Sequence, residues 1–463
     1  MTHLPPGTLL TYSRPWPEAD LLSFLHLGKG QPRVFWESDK SPLAFAGFGI
    51  AAQLTASGPD RFARIAAGAK KLFSHMHRMM GTAPAGGSAI GADPIVAGGF
   101  SFRTGENSTD PYWSAFSDAQ FILPRFQLSR LAGESWLTLN HILNPGEDPT
   151  SIADQLDQLC EQAEDLIWEG LSGEYASPSV DDIPVELHAR QTVNPSTSHD
   201  EWVQMIAETT HRIHQGELEK IVLARCAHVK FSFPLPLADL LAYLSARYPD
   251  CYRFLFEPQP GRAFFGATPE LLAEVSARQL RTVALAGSTR RGQTWQEDQT
   301  LGQQLLASPK ERLEHDLVVR AVRENLRPLT ALLEVPDSPE LCLLNNIQHL
   351  RTPIHGQLAN GNGIVPVVQA LHPTPALGGT PRGAALPLIE QLEPLPRGWY
   401  GAPVGWLAPN GDGEFAVAIR SAVADENQIR LYAGAGIVAD SDPENEWRET
   451  ELKFQPILKA LGL

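Results

Sequence analysis

The sequence is poor in cysteine and has no long apolar run. Four cysteines occur among the 463 residues, and no two of them form a CxxC pair. This spacing argues against a zinc site or a disulfide framework and fits a reducing compartment. No segment approaches the roughly 18 consecutive apolar residues of a membrane-spanning helix. The N-terminus lacks the basic and apolar regions of a secretory signal, so we expect a cytoplasmic protein that binds no membrane.

Basic residues are also scarce relative to acidic ones. The chain has 37 lysines and arginines against 53 aspartates and glutamates, for a net charge of −16. This balance argues against nucleic acid as a partner. Hydrophobic residues make up 43% and charged residues 19%, which is typical of a soluble globular protein. If such an acidic protein binds an anion, its lysine and arginine side chains have to be concentrated at the binding site.

The N-terminal part of the chain carries no recognisable catalytic cluster. It alternates short apolar runs with glycine and proline, and we interpret it as scaffold. The polar segment Pro184 to Asp200 contains the turn Asn194-Pro195 and is a candidate connector. We therefore divide the chain into a scaffold part, 1–195, and a catalytic region, 196–463. The predicted scaffold elements are strands at 34–36, 43–49 and 95–102, a helix at 60–79, a strand pair at 116–131 and 134–143, and a helix at 151–169.

A stretch near the C-terminus combines glycines with an acidic helix. The pattern predicts a strand from Ile429 to Ala433 that breaks at Gly434 and Gly436, where a ligand can approach backbone amides. Asp442 is then placed to cap a helix whose first residue is proline.

The acidic helix brings charged side chains to one face. Glu446, Glu449 and Lys453 are spaced at i, i+3 and i+7, which places them together on a helix. Carboxylate oxygens in this arrangement suit Mg²⁺ with an anionic substrate beside it. The alternative is a solvated helix face with an ordinary ion pair.

A second helix carries a carboxylate on its apolar side. Ser308-Pro-Lys-Glu311 has the pattern of a capping box, and the helix should run to about Leu326. Glu314 falls on the same stripe as Leu317 and Val318. A carboxylate on a buried face costs several kcal/mol unless a charged partner compensates it. A metal ion shared with the C-terminal helix is one such partner.

Two further ionisable residues lie within apolar sequence. Lys220 shares a strand face with Val222 and Ala224, and partial desolvation favours the neutral amine, which can act as a base. The alternative is a lysine at a strand edge that extends to solvent. Glu270 lies in a meander predicted over 252–286, where burial would raise the pKa of its carboxyl and make it a proton donor. The alternative is an exposed turn residue.

Two strands show faces of small residues. The first contains Thr282, Ala284, Ala286 and Ser288, and the second runs from Phe415 to Ala424. Small side chains on both strands suggest a cavity between them. Arg420, alone among alanines, would then bind a carboxylate with two hydrogen bonds. A cation at a sheet edge is the alternative.

Taken together, the motifs LEKIVLAR, GATPELL, LAGS, ERLEH, IQHL, HPTPALGGTP and EWRET resemble those of the chorismate-utilising enzymes. The resemblance covers about residues 200 to 460 and is closest to the isochorismate-forming branch. It implies an α+β fold with two large antiparallel sheets stacked face to face and helices outside.

The resemblance also implies roles for individual residues. Lys220 would activate water and Glu270 would be the general acid. Glu314 and Glu449 would bind Mg²⁺, with Glu446 reaching the metal through water. The substrate contacts that it implies are Gly287, Ser288, His349, Ala376, Leu377, Tyr400, Arg420, Gly434, Gly436 and Lys453.

The implied reaction is the Mg²⁺-dependent isomerisation of chorismate to isochorismate. Ala286 stands where aminodeoxychorismate synthases carry a lysine that attacks the substrate, and its small side chain leaves room for water. Three alternatives stay open: a salicylate synthase, an aminating anthranilate or aminodeoxychorismate synthase, and a chorismate-binding regulator. The long N-terminal part is more similar to menaquinone-type enzymes, and no obligatory protein partner is expected.

Overall fold

Alternating apolar and small residues build two large β-sheets. The computed structural model describes residues 4–16, 20–80, 92–105, 110–172, 193–343 and 347–463. In chain order the strands are β1 (Leu9–Trp16), β2 (Arg33–Glu37), β3 (Leu43–Phe48), β4 (Ala52–Ala56), β5 (Met76–Met80), β6 (Val96–Phe100), β7 (Ala119–Leu123), β8 (Phe126–Leu131), β9 (Glu134–Ile142), β10 (Asn194–Pro195), β11 (Lys220–Lys230), β12 (Tyr252–Gln259), β13 (Arg262–Thr268), β14 (Leu271–Ser276), β15 (Gln279–Arg290), β16 (Thr330–Glu334), β17 (Glu340–Leu343), β18 (Ile347–Leu358), β19 (Gly379–Thr380), β20 (Pro403–Leu407), β21 (Gly413–Val417), β22 (Ser421–Asp425) and β23 (Gln428–Ile437).

The helices connect these strands. They are α1 (Leu21–Leu27), α2 (Arg61–Ser74), α3 (Pro149–Ser172), α4 (His199–His214), α5 (Leu237–Arg247), α6 (Trp295–Ala307), α7 (Pro309–Leu326), α8 (Ile364–Leu371), α9 (Arg382–Leu392) and α10 (Pro443–Ala460). Within the described ranges, every helix is too short or too polar to cross a lipid bilayer.

The strands form two sheets, which we call sheet A and sheet B. The described part of sheet A has 13 strands in the order β10-β11-β23-β22-β13-β12-β2-β3-β8-β9-β1-β5, with β19 beside β11. The described part of sheet B has 10 strands in the order β16-β18-β15-β14-β21-β20-β6-β7-β4, with β17 beside β18. Neighbouring strands are antiparallel except β1 and β5, which are parallel.

The two sheets pack face to face, with helices on their outer sides. One core cluster joins Val34 and Phe264 of sheet A to Val404 and Ala416 of sheet B. Two other clusters join the outer faces to helices, for example Leu431 to Ile457 of α10 in sheet A, and Phe415 to Val318 of α7 in sheet B. The predicted α+β class, with stacked sheets and outer helices, is confirmed.

Both sheets draw strands from both sides of residue 195. β1, β2 and β3 share sheet A with β11 and β23, while β6 and β7 share sheet B with β20. Residues 1–195 are therefore part of the same two layers as the rest of the chain. Most of the predicted connector lies outside the described residues, and its Asn194–Pro195 turn forms β10 beside β11. The assignment of 1–195 as scaffold and 196–463 as catalytic region stays a prediction.

Several predicted element boundaries are wrong. The helix predicted over 60–79 ends at Ser74, and the remainder forms β5 because those residues pair with β1. The strand predicted over 116–131 is divided at Pro124 into β7 of sheet B and β8 of sheet A. Alternation continues through both segments, so the pattern does not reveal the change of sheet.

A buried tryptophan links the N-terminal part to the C-terminal strands. Trp113 is fully buried, and its indole Nε1 donates a hydrogen bond of 2.8 Å to the hydroxyl of Tyr432 on β23. Trp113→Ala should lower the free energy of unfolding by roughly 3–5 kcal/mol, since it leaves a cavity and removes a buried hydrogen bond. Urea-induced unfolding measures the change.

The matched control is Trp295→Ala, because Trp295 is 76% exposed. A surface replacement of this kind should change stability by no more than about 0.5 kcal/mol. Equal losses in both variants would contradict the assigned core.

Candidate active site

A pocket opens where the inner faces of the two sheets separate. It encloses about 830 Å³ of empty space, counted to its open mouth. All predicted site residues except Glu446 line it: Lys220, Glu270, Gly287, Ser288, Glu314, His349, Ala376, Leu377, Tyr400, Arg420, Gly434, Gly436, Glu449 and Lys453.

Strands β11 and β23 form one wall of the pocket. Their register places Val222 opposite Gly436 and Ala224 opposite Gly434, so these residues share the inner face with Lys220. The predicted break of β23 at the glycines is wrong, because the strand runs on to Ile437. A Cβ added at Gly436 would stand 3.2 Å from Cε of Lys220. The glycines therefore leave space for the lysine and for a ligand.

Beside the pocket, the edge of β23 that faces β22 extends beyond the end of their pairing. Pairing between β22 and β23 ends at Ala422 and Leu431, and β23 continues for six residues beyond it. Within this extension, the carbonyl of Gly434 accepts a hydrogen bond of 2.7 Å from Lys453. The predicted approach of a ligand to the Gly434–Gly436 backbone would thus take place at a strand edge.

Lys220 lies at the start of β11 and is buried. Its Nζ donates to Oε1 of Glu314 on α7 over 2.5 Å. The predicted helix start is confirmed, because the Ser308 side chain accepts from the backbone nitrogen of Glu311. The Glu311 carboxylate points elsewhere and accepts from the backbone nitrogen of Ser288 over 3.1 Å. The second half of the predicted capping box is therefore replaced by a contact with β15.

Glu270 follows β13 and faces the pocket. Its backbone is held on both sides, since its carbonyl accepts from the nitrogen of Val417 over 3.0 Å and its own nitrogen donates to Oγ1 of Thr268 over 3.3 Å. The carboxyl group makes no hydrogen bond with another described residue. Burial raises its pKa to about 7, and the nearby charges of Lys220 and Lys453 limit the rise. The predicted rise in pKa is confirmed.

Arg420 stands where the chain passes from sheet B to sheet A. The strand predicted over 415–424 is wrong: it divides into β21, ending at Val417, and β22, starting at Ser421. Arg420 lies in the break with a φ of +51°, a conformation that costs energy for a residue with a side chain. Its guanidinium makes no hydrogen bond or ion pair within the described part of the chain, and burial lowers its pKa.

The start of α10 brings a second charged group to the pocket. Asp442 caps the helix as predicted, by accepting from the backbone nitrogen of Asn445. Lys453 donates to Oε1 of Glu449 over 2.6 Å. Burial raises the pKa of Glu449, but Lys453, His349 and Arg420 outweigh burial and the pKa is lowered overall. Burial lowers the pKa of His349 to about 4, which keeps its imidazole neutral at physiological pH.

The carboxylates of α7 and α10 suit a hard divalent cation. Glu314 and Glu449 line the same pocket from two helices, and each is held by a lysine. Within the described ranges, no three His, Cys, Asp or Glu side chains already form a compact coordination group. Glu446 lies one turn before Glu449, and burial together with the Glu449 charge raises its pKa to about 7. Carboxylate oxygens of this kind are the ligands that Mg²⁺ prefers.

The small residues of β15 serve mainly to pack a helix. Ala284 and Ala286 lie in the core cluster that contains Val318 and Val319 of α7, and Ala286 also lines the pocket. The predicted cavity between two small-residue faces is therefore wrong for most of β15. A bulge at Gly287, with a φ of +74°, turns Ser288 into the pocket.

The small residues of the second strand are also covered. Ala416 and Ala418 lie in the cluster that contains Phe264 and Trp399. The space beside these alanines is filled by aromatic rings. The pocket begins only at Ile419 and Arg420, beyond the end of β21.

A buried ion pair lies behind the pocket and was not predicted from the sequence. Arg397 pairs with Glu393 in the segment that follows α9, and the guanidinium donates over 2.8 Å both to the Leu377 carbonyl and to the Val222 carbonyl. Glu393 also accepts from the nitrogen of Ala224 over 2.8 Å. The pair therefore fixes the loop of Leu377 against β11. Its i, i+4 spacing is a signal in the sequence, but it resembles any surface pair.

Two other supporting residues, Tyr432 and His315, were not predicted. Tyr400 stacks on Tyr432 with ring centroids 5.0 Å apart, and both line the pocket. His315 is buried and contacts the carbonyl of Ala286 over 3.2 Å and Oγ1 of Thr352 over 2.7 Å. These contacts join residues far apart in sequence, so no local pattern predicts them.

The unpaired Glu270 carboxyl should make stability depend on pH. Its pKa of about 7 in the folded chain lies above the unfolded value, so the folded state holds a proton that the unfolded state releases above about pH 4.5. This contribution is full at low pH and is lost as pH rises through 7. Glu270→Gln removes it, so the variant should gain roughly 2–3 kcal/mol relative to wild type between pH 5 and pH 8 in metal-free buffer.

Urea unfolding at several pH values measures this difference. Glu334→Gln, at an exposed position on β16, is the control and should show no such trend. A constant difference between Glu270→Gln and wild type would contradict the buried neutral carboxyl.

Comparison with known proteins identifies the family of the chain. A family model described as a chorismate binding enzyme matches residues 2–462. The isochorismate synthase MenF of Bacillus subtilis (strain 168) is 34% identical over 468 residues, which cover 98% of this chain and 94% of that protein. The salicylate biosynthesis isochorismate synthase of Pseudomonas aeruginosa is 37% identical over 438 residues, covering 93% of this chain and 85% of the relative.

A solved structure has the same architecture. It is that of MenF, the menaquinone-specific isochorismate synthase from Escherichia coli, with a TM-score of 0.76 and 29% sequence identity. The match covers 98% of this chain and 96% of that chain. The chain therefore belongs to the family of chorismate-binding enzymes.

Proposed function

We propose that this protein is an isochorismate synthase, which converts chorismate to isochorismate. The observation that carries the proposal is the meeting of Lys220 and the unpaired, protonatable Glu270 in one pocket. An amine and a carboxylic acid that differ in environment can act as base and acid at one pH. The full-length similarity to two proteins named isochorismate synthase supports the same activity.

The pocket has cations for both carboxylates of chorismate. Arg420 has no partner among the described residues and would bind the enolpyruvyl carboxylate together with the hydroxyl of Tyr400. The edge of β23 at Gly434 and Gly436 completes that side. Lys453 lies beside Glu449 and limits the negative charge near the substrate. These contacts would orient the ring between Lys220 and Glu270.

Mg²⁺ would be held by Glu314 and Glu449, with Glu446 reaching it through water. When bound, it would neutralise these carboxylates and polarise the ring carboxylate of the substrate. Nζ of Lys220 donates to Glu314 in this structure, so this contact has to be released before the lysine can act on a water molecule.

The proposed reaction consumes one water molecule at ring C2 and releases one from ring C4, so it needs no further reactant. Lys220 removes a proton from a water molecule as the water oxygen forms a bond to ring C2. The double bonds shift, the C4–oxygen bond breaks, and Glu270 gives its proton to the departing hydroxyl, which leaves as water. Ala286 leaves space for the attacking water. Each of the two acid–base contributions is worth about 10² to 10⁴ in rate.

The pathway served by the product stays a prediction. The resemblance of the N-terminal part favours a menaquinone-type enzyme, and the chain aligns along nearly its whole length with the Bacillus subtilis protein named MenF. It also aligns over 93% of its length with the relative named for salicylate biosynthesis. Product identity therefore has to be measured.

Incubation with chorismate and Mg²⁺ should give isochorismate, with the new C2 hydroxyl carrying ¹⁸O when the reaction runs in ¹⁸O-labelled water. Chromatography with mass detection measures both results. Lys220→Ala and Glu270→Ala should each lower kcat by at least about 10²-fold and keep the folded state, since each removes one acid–base step.

The matched controls are Lys230→Ala and Glu414→Gln. Lys230 is exposed at the other end of β11, and Glu414 is a buried carboxyl outside the pocket whose pKa burial also raises to about 7. Both variants should keep near wild-type kcat. Salicylate as the product, or turnover that requires ammonia, would replace the proposal with one of its alternatives.

A further inference from the structure

A second pocket adjoins the candidate active site, and we call it the outer pocket. It encloses about 1280 Å³, counted to its open mouth, and lies between α5 and α10. Arg420 and Pro269 belong to the walls of both pockets. None of the residues predicted from sequence to act on the substrate lines the outer pocket, apart from Arg420. The mechanism proposed above leaves this space without a role.

Positive charge dominates the outer pocket. Arg247, Lys459 and Arg420 line it, and Asp250 is the one acid among its lining residues. None of the three cations forms an ion pair within the described part of the chain. Such a group is unusual in a chain of net charge −16. Converging unpaired cations favour a ligand that carries a negative charge.

The side chain of Arg420 acts on both pockets. On the inner side its charge influences Tyr400 and Glu449. On the outer side its charge influences Cys251 and Tyr248. Burial raises the pKa of Tyr248, and Arg420 and Arg247 both limit the rise. A guanidinium has donors on two edges, so one Arg420 can meet a ligand from either side.

The outer pocket also has apolar walls suited to a flat ring. Tyr243 and Tyr248 come from the end of α5, and Pro269, Ala267 and Pro456 complete the apolar surface. Arg247 lies over the ring of Tyr243, with its Cζ 5.9 Å from the ring centroid. A small inorganic anion would leave these surfaces unused, whereas an aromatic ring would cover them.

We propose that the outer pocket binds a small aromatic carboxylate. Its carboxylate would contact Arg247, Lys459 and the outer edge of Arg420, and its ring would pack against Tyr248. Because Arg420 is shared, the bound acid would weaken the hold on the substrate carboxylate. This coupling to catalysis rests on the proposed function, whereas the binding itself does not.

Binding can be detected at Cys251, which lines the outer pocket. The native full-length protein is treated with N-ethylmaleimide with and without benzoate, and modification of each cysteine is followed by mass spectrometry. Benzoate should slow modification of Cys251 severalfold. Cys342 is partly exposed outside the pocket and should react at an unchanged rate. Benzamide, which has the ring without the charge, and acetate, which has the charge without the ring, should protect weakly.

Substitution tests the assigned contacts. Arg247→Ala with Lys459→Ala should raise the benzoate concentration needed for half-protection by about tenfold or more, because charge-assisted hydrogen bonds are lost. The control pair, Lys70→Ala with Lys71→Ala on exposed positions of α2, removes equal charge and should change nothing. Unchanged protection in the first pair, or none in wild type, would overturn the site. Equal protection by acetate would overturn its aromatic specificity.

Kinetics separate a distinct ligand from the substrate itself. Benzoate should raise KM for chorismate in wild type and lose this effect in the Arg247 and Lys459 double variant, whose own KM should stay unchanged. A raised KM in that variant without benzoate would assign the pocket to chorismate and overturn the proposal of a separate ligand. If the protein proved inactive, Cys251 protection would still decide whether the pocket binds an aromatic acid.

Discussion

The candidate active site depends on how charge is compensated inside a buried pocket. Lys220 of β11 pairs with Glu314 of α7, which ties that helix to sheet A. Lys453 pairs with Glu449 on α10 and also donates to the Gly434 carbonyl, which ties α10 to β23. Each contact brings a cation next to a carboxylate that would be costly to bury alone. Glu270 is left outside both pairs, and its carboxyl is neutral up to about pH 7. The difference between paired and unpaired carboxyls separates the proposed metal ligands from the proposed acid.

The fold supplies the geometry for this arrangement through small backbone features. Gly436 stands opposite Val222 on paired strands and leaves space for the Lys220 side chain. The bulge at Gly287 turns Ser288 into the pocket. Arg420 occupies the point where the chain changes sheets, which exposes its guanidinium to space on two sides. Regular strands alone would have buried these groups in the core or paired them within a sheet.

Local patterns in the sequence predicted the parts of the site that depend on local physics. Period-two alternation placed Lys220 on the inner face of β11, and the apolar surroundings of Glu270 indicated its raised pKa. The cap at Asp442 and the helix start at Ser308 follow from the hydrogen-bonding capacity of their side chains.

What the sequence did not reveal depends on contacts between distant segments. The alternation from Phe415 to Ala424 continues through a change of sheet, so it was predicted as one strand. Gly434 and Gly436 were predicted to end the strand. They lie instead on the inner face of β23, because pairing with β11 keeps the backbone extended there. Trp113 forms a hydrogen bond with Tyr432, which lies 319 residues further along the chain. Substrate roles came from the resemblance to a family, and no pattern within the chain would have assigned them.

The most direct test of the account is the ionisation state of the Glu270 carboxyl. Difference infrared spectroscopy of wild type minus Glu270→Gln, in metal-free buffer, isolates the signal of this one group. The account predicts a carbonyl band of a protonated carboxylic acid below pH 7 that converts to carboxylate bands as pH rises through about 7. Carboxylate bands alone at pH 5.5 to 6, well above the ordinary pKa of about 4.3, would show that Glu270 is already ionised and would contradict its role as the proton donor.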